Sequence, residues 1–208
     1  MGYGQDDRVC AFAAIDAVCA VGAPKRTAIA LFYDKEEIGS EGNTGARSRL
    51  MVSFIGKMLE LQEGAYSDRV LREALESSEA LSGDTTSALD PVFKDVHEPS
   101  NAARLGFGVV VTKFTGSGGK GGSSDASAEF TGRIRRMLDR HRIPWQSAEL
   151  GKVDEGGGGT IAKFIAEHGL DVIDLGPCVL SLHAPMELTS KADLLCAQRA
   201  YKTFMEGN

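Results

Sequence analysis

Two periodicities alternate along this chain, and that alternation constrains the fold more than any other property. Short apolar runs recur at 28–33 (AIALFY), 107–114 (FGVVVTKF), 171–175 (DVIDL) and 179–182 (VLSL). Runs of this length, rich in β-branched residues, read as buried strands. Between them lie longer stretches of helical period. Residues 8–21 read as a buried helix with Asp6 or Asp7 placed to cap it. Residues 47–61 carry Leu50, Met51, Phe54, Ile55, Met58 and Leu59 on one face. Further helices are expected at 67–80, from a cap at Asp125 to about Arg140, at 160–168 and at 189–205. A first strand is expected at 27–33, a weak strand or ordered loop at 81–89, and a short strand at 146–150. Residues 36–45, 91–101 and 115–124 read as loops. Strands alternating with helices predict an α/β sandwich around a mostly parallel central sheet. No internal repeat or domain boundary interrupts it, so residues 1–208 read as one domain.

Bulk properties narrow the function. The net charge of −6 argues against nucleic acid as a partner. The one basic cluster, Arg133, Arg135, Arg136, Arg140 and Arg142, reads as the solvated face of a helix. Cys10, Cys19, Cys178 and Cys196 have neither CxxC nor structural-zinc spacing, so reduced thiols are expected. No signal-peptide pattern or membrane-length apolar run appears, which sets the expectation of a cytoplasmic protein without a membrane partner.

Candidate chemistry gathers where strands end. Glu36 and Glu37 follow the run 28–33, at the start of a Gly-containing turn. Asp6 stands at a loop-to-helix junction, Asp84 among Ser82, Gly83 and Thr85, and His183 at the end of an apolar strand, before Ala184-Pro185. Strand ends of a parallel sheet gather on one edge, where ligands bind. Asp, Glu and His are also the ligands of hydrolytic zinc, manganese or cobalt sites. Each residue alone has a plainer reading: His183 as a satisfied core histidine, Asp6 as a helix cap, Asp84 as a turn residue.

Four motifs in order then point to a family. DKEEIGSEGNTGARS after AIALFY, GQDDRVCA, SGDTTSALDP followed by KDVHE, and DLGPCVLSLHAPMEL together resemble the aminopeptidase I / aspartyl aminopeptidase family of binuclear metallopeptidases. The resemblance spans almost the whole chain. It implies a three-layer α/β/α, zinc-peptidase-like domain and a metal-dependent aminopeptidase acting on peptides. By position, Asp6 would bridge two divalent metals, Glu37 and His183 would complete one site, and Asp84 would hold the other. Glu36 would be the general base and acid, taking a proton from the activated water and returning it to the leaving amine. The resemblance also implies a cis Asp6-Asp7 bond. Zinc is the expected metal, with manganese or cobalt as alternatives. Part of the family prefers acidic first residues.

The resemblance also has gaps. The family carries a further histidine in an HxD motif upstream of the bridging aspartate, and an inserted dimerisation domain. Neither is in this sequence, so the chain resembles an N-terminally truncated, C-terminal part of a catalytic domain. One metal rather than two is then expected in this chain alone, with His97 as the reserve ligand; His141 and His168 are expected to lie far off. The partner expected is a homo-oligomer or the missing N-terminal half. A catalytically silent remnant acting as an interaction subunit is the alternative. The glycine-rich run 115–123 does not fit a phosphate loop, since Gly121 follows Lys120. A substrate-facing role remains open there for Lys113 or Lys120, and in the second glycine-rich segment for the backbone of Gly158 and Gly159.

Overall fold

In the computed structural model of the chain, residues 1–118, 121–152 and 154–207 are described. The first half holds α1 (Gln5–Ala20), α2 (Leu50–Glu63), α3 (Asp68–Glu76), β1 (Glu79–Ser82), β2 (Thr86–Ser87) and β3 (Val109–Thr112). Next come β4 (Phe114–Ser117), β5 (Gly121–Asp125), α4 (Ala128–Arg140), β6 (Trp145–Ser147) and β7 (Gly157–Gly158). The C-terminal part holds α5 (Ala162–Ala166), β8 (Asp171–Gly176), β9 (Cys178–Leu180), β10 (Leu188–Thr189) and α6 (Lys191–Met205).

The central sheet runs β1-β8-β3-β6. β1 pairs β8 and β3 pairs β6 in parallel, whereas β3 and β8 are antiparallel. The expected α/β sandwich is therefore present, with one antiparallel pairing at its centre. Alternation along β8 builds the layers: Ile173 and Leu175 face one core, Val172 the other. The first core joins α1, α4 and α6 to β3 and β8 through Ala13, Phe130, Leu138 and Tyr201. The second joins α2, α3 and α5 to the opposite face through Met51, Leu71, Leu75 and Ile165. Buried Asp193, at the start of α6, accepts hydrogen bonds from the Gly106 N–H (2.7 Å) and Gly108 N–H (2.8 Å), pinning the loop that feeds β3. Gly108 has φ 92°, and a Cβ there would lie 2.1 Å from the Pro144 carbonyl oxygen.

Several expectations shift. The segment 27–33 forms no ladder among the described residues. Its Leu31 and Tyr33 pack on the second core, so its apolar pattern reports burial rather than strand pairing. The helix expected at 67–80 stops at Glu76, because the Ser77 and Ser78 hydroxyls both donate to the Ala74 carbonyl and cap its last turn. That frees 79–82 to become β1, the strand continuing toward Asp84. The expected loop at 115–124 contains the antiparallel β4–β5 pair. Ser127, not Asp125, caps α4, accepting from the Phe130 N–H at 3.2 Å. Gly157 and Gly158 pair with β4, and the helix expected at 160–168 is the shorter α5, which begins at Ala162. The short strand expected at 146–150 is β6, shifted toward Trp145. Among the described residues no helix is long and apolar enough to cross a membrane.

Candidate metal centre

The candidate ligands come from three backbone features that lie outside regular ladders. After residue 33 the chain turns through Lys35 (φ 65°), a 3-10 turn at Glu36–Ile38, and Gly39 (φ 91°). The loop closes on itself through the Ser40 N–H to the Lys35 carbonyl (2.8 Å) and the Asp34 N–H to the Thr44 carbonyl (3.2 Å). Gly45 lies so close beneath it that a Cβ would meet the Ser40 carbonyl oxygen at 2.1 Å. Asp6 precedes a cis bond to Asp7, and its ψ of 113° breaks the helical geometry within the first turn of α1. His183 follows β9 with φ 65°, in the left-handed region that a non-glycine residue seldom occupies.

These features converge. The His183 Nε2 lies 3.1 Å from Asp6 Oδ2 and 3.3 Å from Glu37 Oε2. One ligand atom from each of the three lies within 4.8 Å of the others. Tetrahedral zinc with ligands at about 2.0–2.1 Å has ligand–ligand edges of about 3.3 Å, so these spacings fit such an ion. The Asp6 side chain is 9% exposed, whereas that of His183 is 61% exposed and faces the cleft.

The triad opens into a cleft of about 710 Å³ that is also lined by Glu36, Asp84, Asp174, Lys163 and the backbone of Gly156–Gly159. The acids perturb one another. Burial first, then Glu37, pushes the Asp6 carboxyl up to about 6. Burial, then Asp6 and Glu36, drives Asp84 well upward. Glu36 is raised by burial and by Asp6, and lowered in turn by its neighbours His183 and Lys163. A group of carboxylates that disfavour one another's ionisation is one that a bound divalent cation would relieve.

The structure thus brings Asp6, Glu37 and His183 together and places Glu36 and Asp84 in the same cleft; Asp84 stands outside the triad. Gly158 and Gly159 also line it. Lys113 does not: it ion-pairs with Asp125, while its neighbours Thr112 and Phe114 face the cleft, as strand alternation requires. Lys120 lies outside the described residues. His97 is buried away from the cleft, and neither His141 nor His168 lines it. Two acids escaped the sequence reading. Asp174 is a buried carboxylate of β8 that reaches the cleft, and burial raises it to about 6. Glu187 is buried behind the triad. Asp174 breaks the apolar run DVIDL, the one signal that could have singled it out.

Comparison with known proteins bears on the family of the chain. A protein of Thermotoga maritima described as a probable M18 family aminopeptidase 1 is 49% identical over 204 residues, covering 98% of this chain and 45% of its own length. A similarly described protein of Clostridium acetobutylicum is 46% identical, with 99% of this chain and 44% of its own length covered. The chain therefore spans a little under half the length of the relatives it matches. The crystal structure of the M18 aminopeptidase from Thermotoga maritima superposes with TM-score 0.95 at 49% identity, covering 99% of this chain and 45% of that one. Aminopeptidase I from Clostridium acetobutylicum superposes with TM-score 0.90 at 44% identity, covering 98% of this chain and 43% of that one. The Saccharomyces cerevisiae mApe1 dodecamer, 23% identical with TM-score 0.74, shares the fold over 98% of this chain and 44% of its own. A profile of the aminopeptidase I zinc metalloproteases matches residues 1–205. The chain belongs to that family, the M18 peptidases.

Proposed function

We propose that this chain carries the core of a metal-dependent aminopeptidase site that removes N-terminal residues from peptides. The observation that supports this best is the convergence of Asp6, Glu37 and His183 on one point, with Glu36 beside them in the same cleft. Zinc suits the mixed carboxylate and imidazole set, and the family is described as zinc metalloproteases. A bound divalent metal would supply Lewis acidity and lower the pKa of a water toward neutrality. Glu36, adjacent to a ligand but not one of the three, is then the proton carrier: its carboxylate takes the proton of the attacking water and delivers one to the leaving amine. Asp6 and Asp84 are proposed as ligands of a second ion. The backbone N–H groups of Gly158 and Gly159, which also line the cleft, are proposed to orient the peptide.

A preference for acidic first residues belongs to the same proposal. Its support is cationic: Lys163 lines the cleft with its Nζ 4.7 Å from the centre of the Phe164 ring, and Arg47 lies 5.5 Å from the same ring. The test of the site is Glu36→Gln. This change should abolish peptide hydrolysis and leave zinc affinity in place; equal loss of both would overturn the role assigned to Glu36.

One observation favours a second reading. Among the described residues His183 is the only histidine lining the cleft, so the Asp84 side has no imidazole. We therefore propose that this chain alone holds one ion tightly. A second copy, or a polypeptide matching the part of the relatives that this chain does not cover, would complete the two-metal site. Without it the 208-residue partial catalytic domain is catalytically silent and acts as an interaction subunit. A cytoplasmic location belongs to the same proposal. Robust turnover of the purified chain with added zinc, manganese or cobalt, lost on Glu36→Gln, would refute the silent reading.

A further inference from the structure

Glu187 is 2% exposed, and it spends both carboxylate oxygens on the backbone of two triad residues. Its Oε2 accepts from the Asp6 N–H at 3.0 Å, and its Oε1 accepts from the His183 N–H at 2.8 Å. Its own backbone exchanges both hydrogen bonds with Gly2, each 2.9 Å long. A single residue thus ties the N-terminal segment to the turn after β9, across 181 positions of sequence.

The tie matters because neither ligand is held by regular structure. Asp6 lies outside helical dihedrals and His183 sits in the left-handed region. The separation of the Asp6 and His183 side chains, 3.1 Å at their nearest atoms, depends on where those two backbones sit. We propose that Glu187 is the positioning residue of the metal centre: its carboxylate fixes the Asp6 and His183 backbones at the spacing their side chains need to share an ion. The inference rests on reading Asp6 and His183 as ligands. It assigns Glu187 no contact with metal or substrate.

Asp193 supplies the control. It too is a buried carboxylate accepting two backbone N–H groups, but from the loop before β3, away from the triad. The experiment takes the full chain, stripped of metal, and titrates it with zinc against a chromophoric chelator; cobalt absorption in the visible reports ligand geometry. Wild type, Glu187→Gln, Glu187→Ala and Asp193→Asn are compared, each with a thermal melt. Loss of such an outer partner weakens metal binding about 10–100-fold. Glu187→Gln should fall in that range with an altered cobalt spectrum. Glu187→Ala should be weaker still, since glutamine keeps one acceptor oxygen. Asp193→Asn should melt earlier with zinc affinity and cobalt spectrum unchanged.

Wild-type zinc affinity in a folded Glu187→Gln, with a melt lowered like that of Asp193→Asn, would overturn the inference and leave the metal reading standing. Absence of zinc binding by wild type would overturn the metal reading itself. Should the Glu187 variants fail to fold, amide hydrogen exchange on wild type decides. The Asp6 and His183 amides should exchange slowly even without metal, and rapid exchange of either would refute the tie.

Discussion

Removing the charge of Asp174 should make the protein more stable relative to wild type as the pH rises. Asp174 is buried, and burial outweighs the side chains of Ser82 and Thr160, which favour its charged form, to lift its carboxyl from 3.8 to about 6. The folded state therefore holds its proton to higher pH than the unfolded chain does. Below the unfolded value the group costs nothing, because it is neutral in both states. As the pH climbs through about 6 the folded protein must bury a charge that the unfolded chain carries in water, and stability falls. A shift of about 2 units corresponds to roughly 3 kcal/mol at full ionisation, of which about 2 kcal/mol develops between pH 4 and pH 8. Asp174→Asn removes this term and adds a pH-independent cost for its buried amide, on the order of 1–3 kcal/mol. The difference between variant and wild type, measured at both pH values with chelator present, cancels that constant. The variant should gain about 2 kcal/mol on wild type from pH 4 to pH 8, roughly 4–8 °C in relative melting temperature for a domain of this size. A difference that does not change with pH would instead show that Asp174 ionises in the folded protein at no cost.

Two structural predictions follow from the core and the loop before β3. Phe130 is 0% exposed at the centre of the first core, so Phe130→Ala should lower stability by about 3–5 kcal/mol in denaturant titration. Gly108→Ala should cost more than about 1 kcal/mol, because alanine disfavours the left-handed region and its Cβ meets the Pro144 carbonyl at 2.1 Å; an unchanged midpoint would contradict this.

The sequence carried the architecture because strand and helix periods are written in which residues are apolar. Val109, Val110 and Val111 are buried on both faces of the sheet, and the uninterrupted run announces it. It misread 27–33 for the same reason, since Leu31 and Tyr33 pack, partly buried, against the second core without pairing in a ladder. Burial leaves an apolar signature; backbone pairing leaves none. At the site, Asp6, Glu37 and His183 were legible through motifs whose residue types are those of metal ligands. Lys113 was not separable from a cleft residue, because only strand register decides which face it takes. Glu187 was invisible because its work is to accept backbone N–H groups from residues 181 and 4 positions away, and nothing in a linear chain marks that.

Asp6, Glu37 and His183 are proposed to form one divalent-metal site in this chain. Zinc stoichiometry of the purified, metal-stripped chain tests it most directly, measured by elemental analysis after equilibrium dialysis, alongside His183→Ala. A single tightly bound zinc per wild-type chain is expected, lost in the variant. No bound zinc in wild type, two stoichiometric ions, or undiminished binding by His183→Ala would contradict it.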